Sequence, residues 1–354
     1  MSHSSKRIRN YIINLSHFTF RKGGLEISTF QQEIINICGE KNVKHSKAAK
    51  LAYSYDATAD FQHLPDLIVS PRNTKEVSEI VKICSQYQVP LVPRGSGTNL
   101  AAGTAPTRGG VVLLFNNMNN IIEMDEENLC ITVQPGVITK TVIDYVEKKG
   151  LFYPPDPSSL KISTIGGNVS ENSGGLRGLK YGVTKDYVLG LEAVLPNGEI
   201  IRTGGKLYKD VAGYDLTNLL VGSEGTLAVI TEIILKLIPK PVYKETILTM
   251  FETLEDAAEA VSAILASKVI PTTLEFMDRE TVRVIEDYKQ MGLPTNCEAV
   301  LLIEQDGVKE AVKHDMDVIY KVCKDFSAIN VQKAESELEA ENLRSARRDA
   351  LSAL

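Results

Sequence analysis

The stretch IGGNVSENSGG, Ile165–Gly175, decides how this chain folds. Glycine pairs at its two ends let the backbone approach a ligand closely, and Asn168, Asn172 and Ser173 add polar contacts between them. A single glycine cluster is ordinarily a turn. Two further clusters flank this one, PRGSGTNL at Pro93–Leu100 upstream and VGSEGTLAVIT at Val221–Thr231 downstream. Each abuts an apolar, β-rich run. Together they read as one extended dinucleotide-binding surface rather than three unrelated turns.

Two familiar nucleotide folds fit poorly. A Rossmann fingerprint needs G-x-G-x-x-G between a strand and a helix. Gly95-Ser96-Gly97 begins that pattern, but Leu100 stands where the third glycine belongs, and no G-x-x-x-x-G-K-[ST] occurs in the chain.

The order and spelling of the segments instead resemble the FAD-binding domain of the vanillyl-alcohol oxidase/PCMH flavoprotein superfamily. Within it, the chain looks most like the FAD subunit of glycolate oxidase and the D-lactate and D-2-hydroxyglutarate dehydrogenases. The resemblance runs from Pro65 to Pro241 through PDLIVSPRNTKEV, PPDPSSLKISTIGGNVSENSGG and GYDLTNLLVGSEGTLAVIT. It implies an α+β fold: a PCMH-type FAD-binding domain of two α/β subdomains over 65–241, then a partial ferredoxin-like α/β plait as substrate cap over 242–354. A helical entry segment is expected over 31–64 and a basic, disordered start over 1–30. Relatives of this kind continue past residue 354 with paired metal-binding histidines, an acidic ligand and a catalytic histidine. The chain is therefore expected to be a C-terminally truncated relative with impaired activity.

Composition excludes several alternatives. The chain has 354 residues, room for two or three compact units. Its net charge of −6 is no footprint for nucleic acid. No apolar run approaches a membrane span. Cys38, Cys84, Cys130, Cys297 and Cys323 are scattered and form no C-x-x-C pair, so they read as small buried hydrophobes in a reducing cytoplasm. His3, His17, His45, His63 and His314 lack ligand spacing, so no metal site is expected. The first 25 residues carry Lys6, Arg7, Arg9, Arg21 and Lys22 without an acidic residue. That suits a transit peptide, but a disordered start is the favoured reading.

Local patterns give the elements. LIVS at 67–70 reads as a strand, with Thr74 as N-cap of a helix whose face is Val77, Ile80, Val81 and Cys84. Leu91 and Val92 then lead a second strand into the first glycine loop. VVLLF and CITVQPG add strands, and Lys140–Lys149 adds a helix. Asn197-Gly198 marks a hairpin, Leu227–Leu237 a strand, and the prolines at 239 and 241 a boundary. In the second unit, Lys244–Phe251 and Ala299–Glu304 read as strands. Thr253 with Asp256 caps a helix carrying Leu254, Ala257, Ala258, Val261, Ile264 and Leu265.

The resemblance assigns the site residues. Arg94, Gly95, Ser96, Gly97 and Thr98 would hold the diphosphate. Pro155, Asp156 and Ser159 would lie along the flavin. Gly166, Gly167, Asn168, Ser173, Gly174 and Gly175 would approach the isoalloxazine edge, with Tyr181 and Gly182 following. Glu224, Gly225 and Ile230 would meet the adenine or ribose. Asp186 reads as a turn cap and Tyr214 as core. No histidine adjoins the first loop and the nearest is His63, so FAD is expected to be non-covalent. Arg347, in ENLRSARRDAL, matches the family arginine that takes the substrate carboxylate. Relatives often carry Trp where Arg344 stands. The catalytic base is unassigned.

The implied reaction is oxidation of a 2-hydroxy acid to the 2-oxo acid, with hydride passing to flavin. Expected partners are the small hydroxy acid, an iron–sulfur or quinone electron acceptor, and a second copy of the chain. Expected location is the cytoplasm, peripheral to the membrane through partner subunits. The rivals are a non-catalytic FAD-binding electron-relay subunit, an NADPH-using reductase of the same fold, and an inactive fragment.

Overall fold

The computed structural model describes residues 24–353. Most of the basic start therefore lies outside the described residues. Residues 24–30 do not: they open a helix, α1 (Gly24–Cys38), with Phe30 buried, where disorder was expected.

The first layer is a four-stranded sheet in the order β1-β2-β4-β3, formed by β1 (Val43–Lys44), β2 (Leu67–Val69), β3 (Leu91–Arg94) and β4 (Val111–Leu114). β2 and β3 both run parallel to β4, and β1 pairs antiparallel at the edge. A short helix, α2 (Lys47–Ala52), precedes β2. Between β2 and β3 lies α3 (Thr74–Gln86), and its Val77, Ile80, Val81 and Cys84 are buried as the periodicity demands. Its N-cap is Asn73, which accepts from the Glu76 amide at 3.0 Å. Thr74, expected in that role, is already helical and donates to Glu192.

The second layer is antiparallel in the order β5-β6-β10-β8-β9. It comprises β5 (Ile121–Asp125), β6 (Cys130–Val133), β8 (Val188–Val194), β9 (Ile200–Gly204) and β10 (Val229–Lys236). Between β6 and β8 the chain forms α4 (Thr139–Glu147), β7 (Leu151–Phe152), α5 (Ile165–Glu171) and α6 (Gly178–Tyr181). The β8–β9 hairpin turns at Asn197-Gly198, where Gly198 has φ +82°. A helical turn, α7 (Leu216–Leu220), precedes β10. β11 (Ile238–Pro239) pairs with β7. Val194 and Val229 from this sheet pack into the core of the first, which ties the layers together.

The second unit starts at β12 (Tyr243–Phe251). It continues through α8 (Leu254–Ala266), β13 (Thr273–Asp278), α9 (Arg279–Lys289), β14 (Ala299–Gly307), α10 (Lys309–Asp325), β15 (Asn330–Lys333) and α11 (Glu337–Ala353). Its antiparallel order, β13-β14-β12-β15, is that of the ferredoxin-like plait. The run AVLLI in β14 is apolar on both faces because both faces are covered. Ala299, Leu301 and Ile303 pack with α8 and α10, whereas Val300 and Leu302 pack with α9 and α11. The buried stripe of α8 is Ala257, Ala260 and Ile264; Leu254 and Leu265, expected on that face, are exposed. Thr253 caps α8 as expected, accepting from the Asp256 amide.

All five cysteines are free and buried. Burial pushes the thiols of Cys38 and Cys84 up to about 12, so they stay protonated at neutral pH.

Ile303 is fully buried at the centre of β14. Truncation to alanine leaves a cavity between sheet and helices, and Ile303→Ala is predicted to cost about 2–5 kcal/mol. The midpoint of urea denaturation, read by circular dichroism, checks this.

Candidate functional site

The three glycine segments meet at one cleft. The first lies at the carboxyl end of β3, the second opens α5, and the third is the turn leading into β10. They enclose a cleft of about 320 Å³ outside the end of a parallel strand, where ligands of open α/β sheets bind. From the first segment its wall takes Arg94, Gly95, Ser96, Gly97 and Thr98. Gly166, Gly167, Asn168, Ser173 and Gly174 come from the second, with Ser159 just before it. Glu224, Gly225 and Ile230 come from the third.

Close backbone approach is built into these loops. Gly97 has φ +70°, and a Cβ there would lie 2.2 Å from Nη2 of Arg94. At Gly166 a Cβ would lie 2.5 Å from Cβ of Pro135. Glu224 is itself held at φ +51°, a costly conformation outside glycine. The amides of Ser96, Gly97, Thr98 and Asn99 donate to no acceptor among the described residues. A row of amides without protein partners, lining a cleft, suits an anionic diphosphate.

Several side chains serve the loops rather than the cleft. Arg94 is buried, and its Nη1 reaches the carbonyl and hydroxyl of Thr104 at 3.5 and 3.3 Å. The Ser96 hydroxyl donates to the Ile162 carbonyl, fastening the first segment to the stretch just before the second. Asn168 donates inward to Thr139 at 2.7 Å.

Five residues assigned to the cofactor lie on neither wall: Pro155, Asp156, Gly175, Tyr181 and Gly182. Pro155 and Asp156 are buried. Asp156 is 1% exposed and lies between Arg177 and Arg348, each 3.6 Å away, at the seam between the two units. Gly175 packs against Asp156, where a Cβ would meet its Oδ1 at 2.3 Å. Tyr181 donates to Asp306 of β14 at 2.8 Å, beside Lys180 at 2.7 Å. Burial and that carboxylate push the Tyr181 phenol far up, so it exchanges no proton near neutrality. Gly182, at φ +83°, makes room for Asp186, which caps the turn by accepting from Val183. Tyr214, read as core, is 95% exposed.

A second cavity, about 1130 Å³, shares residues 94–98 with the first. Its far wall is α11, which presents Arg347, Arg348 and Asp349, and its other charged groups are Asp56, Arg94 and Lys161. Arg347 is thus brought to the joined cavities from more than 240 residues beyond Arg94 along the chain. Arg344 is buried and paired with Glu304, with Glu337 at 2.6 Å and Glu341 at 3.0 Å. An ion network therefore occupies the position where relatives often have Trp.

Motif reading missed Asn99, Gly103, Thr104, Glu171 and Lys161. Asn99 and Gly103 adjoin the first segment and could have been found by extending it. Glu171 was legible inside the second segment. Lys161 carried no signal at all.

Glu171 and Glu224 face each other across Gly103, each 3.3 Å from where its Cβ would stand. Burial raises the Glu171 carboxyl above its usual range, and Glu224 and Asp56 add to the rise.

Comparison with known proteins agrees with this architecture. A family model described as an FAD binding domain matches residues 65–204, and one described as the C-terminal domain of FAD linked oxidases matches residues 240–354. The glycolate oxidase subunit GlcD of Bacillus subtilis (strain 168) is 62% identical over 324 residues, covering 92% of this chain and 69% of that protein. A D-lactate dehydrogenase of Anaerostipes hadrus is 40% identical over 259 residues, covering 71% of this chain and 54% of that protein. Among solved structures, p-cresol methylhydroxylase with substrate bound superposes with a TM-score of 0.79 at 19% identity, over 93% of this chain and 72% of that one. That likeness shows the fold. The chain belongs to the FAD-linked oxidases, a family of flavin-dependent oxidoreductases. Its cofactor is FAD.

Gly97→Ala forces a side chain into the Arg94 guanidinium at a positive φ, a strain of about 1–3 kcal/mol. FAD retained after gel filtration should fall about tenfold while the far-ultraviolet spectrum is kept. Glu171 has a folded pKa raised above its ordinary 4.5. Folding favours its neutral form relative to the unfolded chain, so its contribution to stability is full below the unfolded pKa and is lost as pH rises through the folded pKa. Glu171→Gln should match the parent near about pH 4 and exceed it near about pH 7 in thermal unfolding of the apo chain.

Proposed function

We propose that this chain oxidises a small 2-hydroxy acid, of the glycolate or D-lactate kind, to the 2-oxo acid using non-covalently held FAD. The observation that carries this is the continuity of the glycine-lined cleft with the arginine-bearing cavity through residues 94–98. In this reading the amides of Ser96–Asn99 hold the diphosphate, Gly166 and Gly167 admit the cofactor to close backbone contact, and Arg347 binds the carboxylate. A guanidinium suits that task because two of its N–H groups match a carboxylate in a fork. Bound flavin would supply the acceptor for hydride leaving C2 of the substrate, while the hydroxyl proton leaves to a base or to solvent. No histidine lines either cavity among the described residues.

The Bacillus relative is named as a subunit, and the reading extends to a partner that takes the electrons, an iron–sulfur protein or a quinone. A second copy of the chain is a further proposed partner. Among the described residues no helix is long and apolar enough to cross a membrane. We place the protein in the cytoplasm, with membrane contact only through partners.

The test is the visible spectrum of the chain after incubation with FAD and gel filtration. The expected result is a retained flavin band that bleaches anaerobically with glycolate or D-lactate, and no oxidation of NADPH. Retention without bleaching by any 2-hydroxy acid would replace this reading with an electron-relay subunit, and NADPH turnover would replace it with a reductase.

A further inference from the structure

The charged groups lining the larger cavity differ in how far they are already committed. Asp56 accepts from the Thr58 amide at 2.9 Å, Asn99 at 3.0 Å and Thr104 at 3.1 Å. Asp349 is held by Lys289 and by Ser345 at 3.0 Å. Arg94 reaches Thr104 through Nη1 alone and lies on the wall shared with the glycine-lined cleft. Arg348 is split between Glu341 at 2.9 Å and Asp156 at 3.6 Å. Two cations remain. Lys161 is exposed and makes no hydrogen bond or ion pair among the described residues, though its charge acts on Asp349. Arg347 is engaged only through Nε, which donates to Oε2 of Glu275 on β13 at 2.6 Å.

That single contact has a geometric consequence. A guanidinium is planar, so fixing Nε on one carboxylate fixes the direction in which Nη1 and Nη2 point. Both Nη groups lack an acceptor among the described residues, and Arg347 lines the cavity. The helix that carries it is pinned on either side, by the buried Arg344–Glu304 pair one turn before and by Arg348 against the seam one residue after.

We propose that Glu275 is a positioning residue that aims the free Nη edge of Arg347 into the cavity, where it takes the carboxylate of the substrate. The inference rests on the proposed oxidation of a 2-hydroxy acid and adds a residue that no motif contains. Glu275 acts through Arg347 and touches no substrate. Its negative charge works against a bound anion, so orientation, not charge, is its contribution. Positioning and electrostatics therefore predict opposite outcomes for the two simplest variants.

The experiment uses oxalate, an unreactive dicarboxylate, as probe of the FAD-loaded full chain by calorimetry, with KM and kcat measured separately on glycolate and D-lactate. Glu275→Asp keeps the charge and shortens the reach; it should weaken oxalate about tenfold and raise KM by a similar factor with kcat little changed. Glu275→Gln keeps an acceptor for Nε and should bind oxalate as well as the parent or better. Arg347→Lys, which loses the fork, should weaken oxalate at least as much as Glu275→Asp. Lys161→Gln, which removes a charge but no fork, should weaken it far less than Arg347→Lys. Unaltered oxalate binding in Glu275→Asp overturns the proposal, as does dependence on Lys161 in place of Arg347. If the oxalate pattern is as expected but no 2-hydroxy acid is oxidised, Glu275 still orients Arg347 and the proposed reaction is what fails. If the parent oxidises hydroxy acids and Glu275→Asp changes neither KM nor oxalate affinity, the reaction stands and the positioning role is gone.

Discussion

Around the cleft the backbone must come closer to its neighbours than a side chain at certain positions would allow. Gly166 rests against Pro135, and Gly97 lies over the guanidinium of Arg94. The approach of Gly166 to Pro135 joins segments far apart in the chain, and the amides of residues 96–99 have no acceptor among the described residues. Unpaired amides cost free energy unless they face water or a ligand. A cleft wall is where such a row is tolerated, and a dinucleotide diphosphate is the partner that its polarity suits.

The second constraint is charge. The seam between the units carries buried carboxylates, Asp156 and Asp306, each set against basic groups from across the seam or beside it. Removing one partner of a buried pair would leave the other charge unbalanced, which is more costly than never having had the pair. The same logic holds α11 on its sheet through Arg344 and Glu304. The helix that brings Arg347 to the cavity is thus held by ion pairs as well as by the apolar contacts of Leu343, Ala346 and Ala350.

Motif residues divide into two kinds by what they touch. Ser96 and Asn168 belong to the wall of the cleft, yet their side chains fasten one loop to another. Asp156 and Tyr181 sit within the same run of sequence and serve the seam. Residues adjacent in the chain can face opposite sides of a loop. A motif therefore marks the neighbourhood of a site more faithfully than it assigns each member a role.

Local order was legible in the sequence because local order has local causes. The periodicity of Val77, Ile80, Val81 and Cys84 placed a helix face, the Asn197-Gly198 pair placed a hairpin, and the apolar run of β14 placed a buried strand. The three glycine segments announced a dinucleotide site because backbone approach requires glycine whatever the surroundings. Burial and pairing depend on what lies opposite, and that was decided by the tertiary structure alone. It turned Asp156 toward two arginines, exposed Tyr214, set Glu171 against Glu224, and brought Glu275 to the Nε of Arg347. Each of those outcomes rests on residues distant in the chain, whose meeting is fixed by sheet order and by the packing of α11 and is written in no local pattern.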